Sequence, residues 1–292
     1  MQEVEHVLAS QNTLGEGACW NPDEQRIYWV DIYENKINRL DPASGNVETF
    51  DVGTQVGVLR FRASGGLVMG TKKGLAFWDE QQGLQVIVNP EPDKPYNRFN
   101  DGAIDGKGRF WANTMCDPTE KSSKPEGSLY RLDPDLSLHV MDTNLWLPNG
   151  IGWSPDQKTM YMANSTEHVI YAYDFDLESG TVSNRRDFIH TPENEGVPDG
   201  LTIDSDGYLW SARWSQGKIS CFDPRGKLNH EIYVPSPNTS STSFGGKFLN
   251  ELYITSAHKE LSDEQKAQYP QAGDLFRIKT ASKGQPVYKF AG

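Results

Sequence analysis

One structural unit is written six times along this chain, and that repetition constrains the fold more than any single motif does. An apolar segment returns as RIYWVDI (26–32), GLVMGT (66–71), RFWANT (109–114), TMYMANS (159–165), YLWSAR (208–213) and ELYITSA (251–257). Successive copies lie about 40 to 50 residues apart, the period of propeller blades built from four strands. After most copies a further apolar segment ends in Asp: KINRLDP, GLAFWD, GSLYRLDP, VIYAYDFD and KISCFDP, with GDLFRIK in the last unit. These segments are short, β-branched or aromatic, and bounded by Gly, Pro, Asp and Asn, as strands and their turns are. Helical periodicity is almost absent. The exception is LSDEQKAQY, where Ser262 and Gln265 make a capping box for one short helix.

The expected fold is therefore all-β, a six-bladed β-propeller with four-stranded blades around a central channel, in a single domain over residues 1–292. EVEHVLAS (3–10) and QPVYKFAG (285–292) are both strand-like and are expected to pair as the strap that closes the ring, leaving only short protected edges. A hydrophobic content of 36% in 292 residues is enough to fill such a core.

Charge narrows the partners. Forty Asp and Glu against 28 Lys and Arg give a formal net charge of -12, with no basic stripe, so neither nucleic acid nor an anionic membrane is an expected partner. No apolar run approaches the roughly 20 residues of a membrane span, and the first residues lack a signal-peptide pattern, which makes a cytoplasmic protein the expectation. Cys19, Cys116 and Cys221 are odd in number and far apart, as free thiols in a reducing compartment are. With no heptad or long apolar stripe, the expected state is a monomer.

In a propeller the first strand of each blade lines the channel, so residues at the start of those strands meet at one mouth. In ring order these positions read LGEG (14–17), TQVG (54–57), RFNDG (98–102), LPNG (147–150), VPDG (197–200) and SFGG (243–246). Four of them present an oxygen-bearing side chain, Glu16, Asn100, Asn149 or Asp199, one or two residues before a Gly. Pro-Asn-Gly and Pro-Asp-Gly are turn formers in their own right. A turn has no use for Glu16, however, and two carboxylates with two carboxamides on one axis make a site for a hard divalent cation. The six histidines show no ligand spacing, and neither a nucleophile elbow nor a Gly-rich phosphate loop is present. The DSDG of 204–207 is too short for a calcium loop and reads as a hairpin turn. Trp146 and Phe99, beside these positions, are either blade packing or a sugar-stacking face.

LGEGACW, RFNDGAIDGKGRFW, PNGIGWSPD, VSNRR, PDGLTIDSDGYLW and SFGGKFLNELYITSA, in that order and across essentially the whole chain, resemble the SMP-30/gluconolactonase family, which includes regucalcin and bacterial sugar lactonases. LSDEQKAQYPQAGDLF is similar to the bacterial branch. The resemblance implies one divalent ion in the channel, held by Glu16, Asn149 and Asp199, with Asn100 and Arg98 binding substrate. It also implies hydrolysis of a small-molecule sugar lactone, the ion polarising the lactone carbonyl and Asp199 acting as general base. Oxygen ligands admit calcium, magnesium, manganese, iron(II) or zinc. Related animal proteins carry a substrate-contacting Glu in the loop before GSLY; here Glu120 and Glu126 are its candidate replacements, and the 116–127 loop is either a lid or a plain surface loop. Phosphotriester or other ester hydrolysis, and calcium binding without catalysis, stand as alternatives.

Overall fold

The computed structural model describes residues 3–117 and 124–292. Its strands form six four-stranded antiparallel sheets arranged as a six-bladed propeller. The innermost strands, in ring order, are Gly15–Asn21, Val56–Phe61, Asn97–Ile104, Pro148–Trp153, Val197–Ile203 and Asn238–Gly245. The recurring sequence segments are the second strands: Arg26–Asp31, Leu67–Thr71, Phe110–Cys116, Thr159–Asn164, Leu209–Trp214 and Glu251–Ala257. They are almost wholly buried because each blade is covered on both faces by its neighbours, which accounts for near-continuous apolar runs in place of strict alternation.

Aromatic contacts join the blades. Trp111 of blade three meets Trp153 and Phe175 of blade four at 6.0 and 5.8 Å, and Trp20 of blade one stacks on Tyr253 of blade six at 5.7 Å. The DSDG segment is a hairpin turn. Asp204 accepts from the Asp206 and Tyr208 amides through Oδ1 and from Trp210 Nε1 through Oδ2, and Asp105 repeats the arrangement with Lys107, Arg109 and Trp111. One carboxylate thus closes the turn and anchors the blade's indole. The short helix is Asp263–Gln268, with the Ser262–Gln265 capping box in place.

Ring closure differs from the sequence expectation. Glu5–Leu8 pairs with Leu275–Lys279, not with QPVYKFAG, and so becomes the outer strand of blade six. The 285–292 segment runs across the base of the propeller instead. Gly284 bridges to Asp204 of blade five, Phe290 exchanges backbone hydrogen bonds with Phe61 and Ala63 of blade two, and the Ala291 amide donates to Gly108 of blade three. Pro286 has no amide proton to offer a ladder, which suits a crossing segment better than a closing strand.

Every inner pair of strands breaks register at an equivalent place: between Glu16 and Cys19, Val56 and Val58, Phe99 and Gly102, Pro148 and Ile151, Pro198 and Leu201, and Thr239 and Thr242. A bulge re-aims side chains that a regular pleat would send to the sheet faces. Here it serves the axis.

Candidate active site

Glu16, Asn100, Asn149 and Asp199 all lie at these register breaks, inside strands and not in turns ahead of them. The Pro-Asn-Gly and Pro-Asp-Gly motifs are bulges, and Gly150 and Gly200 are required by close approach. A Cβ on Gly150 would lie 2.3 Å from the Leu201 amide nitrogen, and one on Gly200 would lie 2.7 Å from Ser241 Cα. In blade six the register break falls at Ser240 and Ser241, so SFGG, which ends that strand, is not the equivalent of the other five motifs.

The four side chains and Arg98 share one pocket of about 240 Å³ at the channel mouth, walled also by Leu14, Met115, Leu147, Ser165, Thr166, Val197, Trp214, Lys259 and Glu260. Glu16, Arg98, Asn100, Asn149 and Asp199 are all buried. Glu16 Oε2 accepts from the Gly17 amide at 3.1 Å. Asn149 donates through Nδ2 to Ser165 Oγ, while among the described residues its Oδ1 has no hydrogen-bond partner, and Asp199 Oδ1 has none either. Two buried oxygens without donors in one pocket are costly unless something positive lies between them.

Electrostatics point the same way. Burial pushes Glu16 up to about 8, helped by the Asp101 charge and opposed by the Gly17 amide and Arg98. Asp199 is raised well above the usual carboxylate range by burial, then by Glu16 and Asp101. Asp101 is raised by burial and held back by Arg60, whose Nη2 lies 3.7 Å from its Oδ1. Three carboxylates crowd one axis, and a bound cation would relieve all of them. Among the described residues no group of three or more His, Cys, Asp or Glu side chains is gathered to hold a metal, so the donor set that fits is the mixed one of Glu16, Asn149 and Asp199.

Arg98 and Asn100 form a unit. Arg98 Nη1 donates to Asn100 Oδ1 at 2.7 Å and to the Phe99 carbonyl at 3.0 Å, and Asn100 Nδ2 donates to the Pro148 carbonyl at 3.0 Å. Asn100 therefore turns its oxygen to the guanidinium, unlike Asn149. Arg98 Nε lies 3.7 Å from Asp117 Oδ2 and makes no hydrogen bond. Asp117 thus balances the guanidinium charge in the pocket wall.

Several residues escaped the sequence reading. Ser165 Oγ donates to the Pro198 carbonyl at 2.6 Å while accepting from Asn149, so it ties one candidate ligand to the backbone of the next. Asn113 Nδ2 donates to the Asn149 carbonyl, and Ser240 Oγ to the Gly15 carbonyl beside Glu16. Their only sequence mark is a polar residue where a blade strand is otherwise apolar. Trp214, not Trp146, supplies the aromatic wall, and Phe99 is core, packed edge-on against Tyr130. Glu120 lies outside the described residues, as does half of the 116–127 loop, residues 118–123. The Glu126 carbonyl binds Lys94 and Asn97, its carboxylate lies 3.5 Å from Lys124, and it does not line the pocket.

Residues 14–258, which include Glu16, Arg98, Asn100, Asn149 and Asp199, match the SMP-30/Gluconolactonase/LRE-like region family. The chain belongs to this family. Among its SMP-30/gluconolactonase relatives, chicken (Gallus gallus) regucalcin is 36% identical over 99% of both chains, and the pentonolactonase XacC of Haloferax volcanii is 32% identical over 98% of this chain and 97% of its own. A solved structure of a calcium-binding protein, regucalcin, from Agrobacterium tumefaciens superposes with a TM-score of 0.94 at 26% identity, covering 100% of this chain and 98% of the other.

Proposed function

We propose that this protein hydrolyses sugar lactones at the channel mouth with the help of one divalent cation. The observation that carries the reading is the pair of buried, unpartnered oxygens, Asn149 Oδ1 and Asp199 Oδ1, in one pocket with the strongly perturbed Glu16. The family and the pentonolactonase relative support the substrate class.

Glu16, Asn149 and Asp199 would hold the ion, with two carboxylates balancing its charge and the carboxamide adding a neutral oxygen. When bound, it supplies Lewis-acid polarisation of an ester carbonyl. The chain does the rest. Arg98 orients the lactone and offers its guanidinium to the negative charge that develops on the carbonyl oxygen, and Asn100 fixes the guanidinium through Nη1. Asp199, through its carboxylate, would take the proton of the attacking water and return it to the ring oxygen as the ester bond breaks. Trp214 and its apolar neighbours give the sugar a face to lie on and keep bulk water from the reacting atoms.

A second reading has its own observation. Leu14, Met115, Leu147, Val197 and Trp214 make the pocket rim apolar, as a site for a less hydroxylated ester would be. Acid release from a panel of aldono-1,4- and 1,5-lactones and simple esters, with metal-stripped protein, each divalent ion added back, and Asp199→Asn, separates the two. The expected result is lactone turnover restored by one ion and reduced on the order of 100-fold or more by the substitution. Rates at the buffer level with every ion, while calcium still binds, would leave a calcium-binding protein without this activity.

A further inference from the structure

Two charged side chains of the mouth pocket, Lys259 and Glu260, have no part in holding the ion or meeting the ester. They lie in the loop between the second and third strands of blade six, and that loop is pinned from two sides. The His258 and Lys259 amides donate to the Asn12 and Thr13 carbonyls on the way into blade one. The Lys259 carbonyl accepts from Asn238 Nδ2, at the start of blade six's inner strand. Both side chains keep accessible surface, 19% for Lys259 and 56% for Glu260, so a ligand in the pocket can reach them.

Lys259 Nζ donates to Tyr33 Oη at 3.1 Å, and Tyr33 Oη donates in turn to Asp117 Oδ1 at 3.4 Å. Asp117 Oδ2 faces Arg98 Nε at 3.7 Å. A line of polar contacts therefore runs behind the pocket wall from blade six through blade one to blade three. Its two ends, Lys259 and Arg98, line the pocket, while Tyr33 and Asp117 between them do not. The ammonium has three protons: Tyr33 takes one, and Glu260 Oε1, 3.3 Å away, faces the group from another side. Glu260 holds this place in left-handed backbone, at φ 67°. That conformation costs a non-glycine residue more than an exposed ion pair contributes, so fold stability does not account for a carboxylate here.

An ammonium beside a carboxylate is a donor beside an acceptor. Neighbouring hydroxyls on a sugar ring satisfy both, one accepting from the ammonium and the other donating to the carboxylate, and a ring without hydroxyls satisfies neither. The Leu14, Leu147 and Val197 side chains of the same wall give a hydroxyl nothing to bind. We propose that Lys259 and Glu260 form the hydroxyl-reading part of the pocket and select a polyhydroxylated ring, whose ester end lies toward Arg98. The ester end rests on the lactonase reading above; the hydroxyl end rests on the contacts of this pair.

Two measurements on the full chain separate the two ends. In the first, hydrolysis of glucono-1,5-lactone is compared with that of δ-valerolactone, the same ring without hydroxyls, in protein loaded with each divalent ion. Lys259→Met and Glu260→Gly should each lower the kcat/KM ratio of the first lactone over the second about tenfold, with the loss falling on KM. Glycine suits φ 67°, so Glu260→Gly should melt close to wild type, and it decides the matter if Lys259→Met unsettles Tyr33 and Asp117. In the second, 1,5-anhydroglucitol, a ring with hydroxyls and no ester, is titrated by calorimetry with calcium and without it. Wild type should bind it, and both variants should bind it about tenfold more weakly. Polyol binding that depends on the pair, with neither lactone turned over, would overturn the lactonase reading and leave this one standing. Lactone turnover with wild-type ratio and wild-type polyol affinity in both variants overturns the role of the pair and leaves the lactonase reading standing. A fall that strikes both lactones equally overturns that role as well, since a purely structural contact would give it. Neither turnover nor polyol binding overturns both.

Discussion

Asn149 donates to Ser165 Oγ at 3.3 Å, a contact that holds the nitrogen end of its amide toward Ser165. Ser165 is itself fixed by donating to the Pro198 carbonyl, so the orientation of one candidate ligand depends on the backbone that carries another. Ser165→Ala removes the acceptor and lets the amide turn. Loss of such a supporting contact costs on the order of 10- to 100-fold in metal affinity. Calorimetric titration of the metal-stripped variant should show that loss with little change in the melting temperature of the apoprotein; wild-type affinity would show that the hydroxyl does not orient Asn149.

Without a cation, the axis carboxylates make stability depend on pH. Glu16 is raised from 4.5 to about 8 and Asp199 is raised with it. Between those values the folded protein binds more protons than the unfolded chain, so stability falls as pH rises through that window. A bound cation replaces the protons and flattens the slope. Thermal unfolding of stripped and loaded protein at a series of pH values should give curves that lie close together near pH 5 and separate toward pH 8. Parallel curves would mean that the cation binds elsewhere.

Arg98 contributes shape as well as charge. Its Nη1 holds Asn100 and the Phe99 carbonyl while Nε faces the Asp117 carboxylate at 3.7 Å, a division of labour a lysine cannot reproduce. Arg98→Lys should lower kcat/KM on the order of 100-fold while metal affinity stays within a few-fold of wild type. A parallel fall in metal affinity would place Arg98 among the groups that build the ion site.

Gly150 tests the bulge. An added methyl would press on the Leu201 amide of blade five, where backbone cannot yield as a flexible side chain would. Gly150→Ala should cost about 1 to 3 kcal/mol in denaturant unfolding and also weaken metal binding, since Asn149 is its neighbour. An unchanged midpoint would show that blades four and five have slack at the axis.

The fold was legible because each blade repeats the same burial. RFWANT and TMYMANS are covered on both faces, and the period of such runs is visible without any partner being known. The candidate site was legible for a related reason: Glu16, Asn149 and Asp199 break an otherwise similar sentence at equivalent places. What stayed hidden depends on contacts between distant residues. That Pro-Asp-Gly forms a bulge rather than a turn is set by pairing with the next strand, and SFGG resembled the other motifs although the blade-six break lies at Ser240. Glu5–Leu8 chose Leu275–Lys279 over QPVYKFAG because only the former continues a blade edge. Nothing local to either segment states that choice.

Glu5 meets Arg277 across 272 positions of sequence, and that pairing sets a timetable for a chain leaving the ribosome. Blades one to five pair only strands that follow one another in the chain, whereas blade six is completed by Leu275–Lys279 receiving Glu5–Leu8. Glu16 belongs to blade one and Asp199 to blade five, the two that flank blade six. Closing the ring is thus what sets Glu16 and Asp199 on the two sides of blade six, with the burial and crowding that raise both carboxyls.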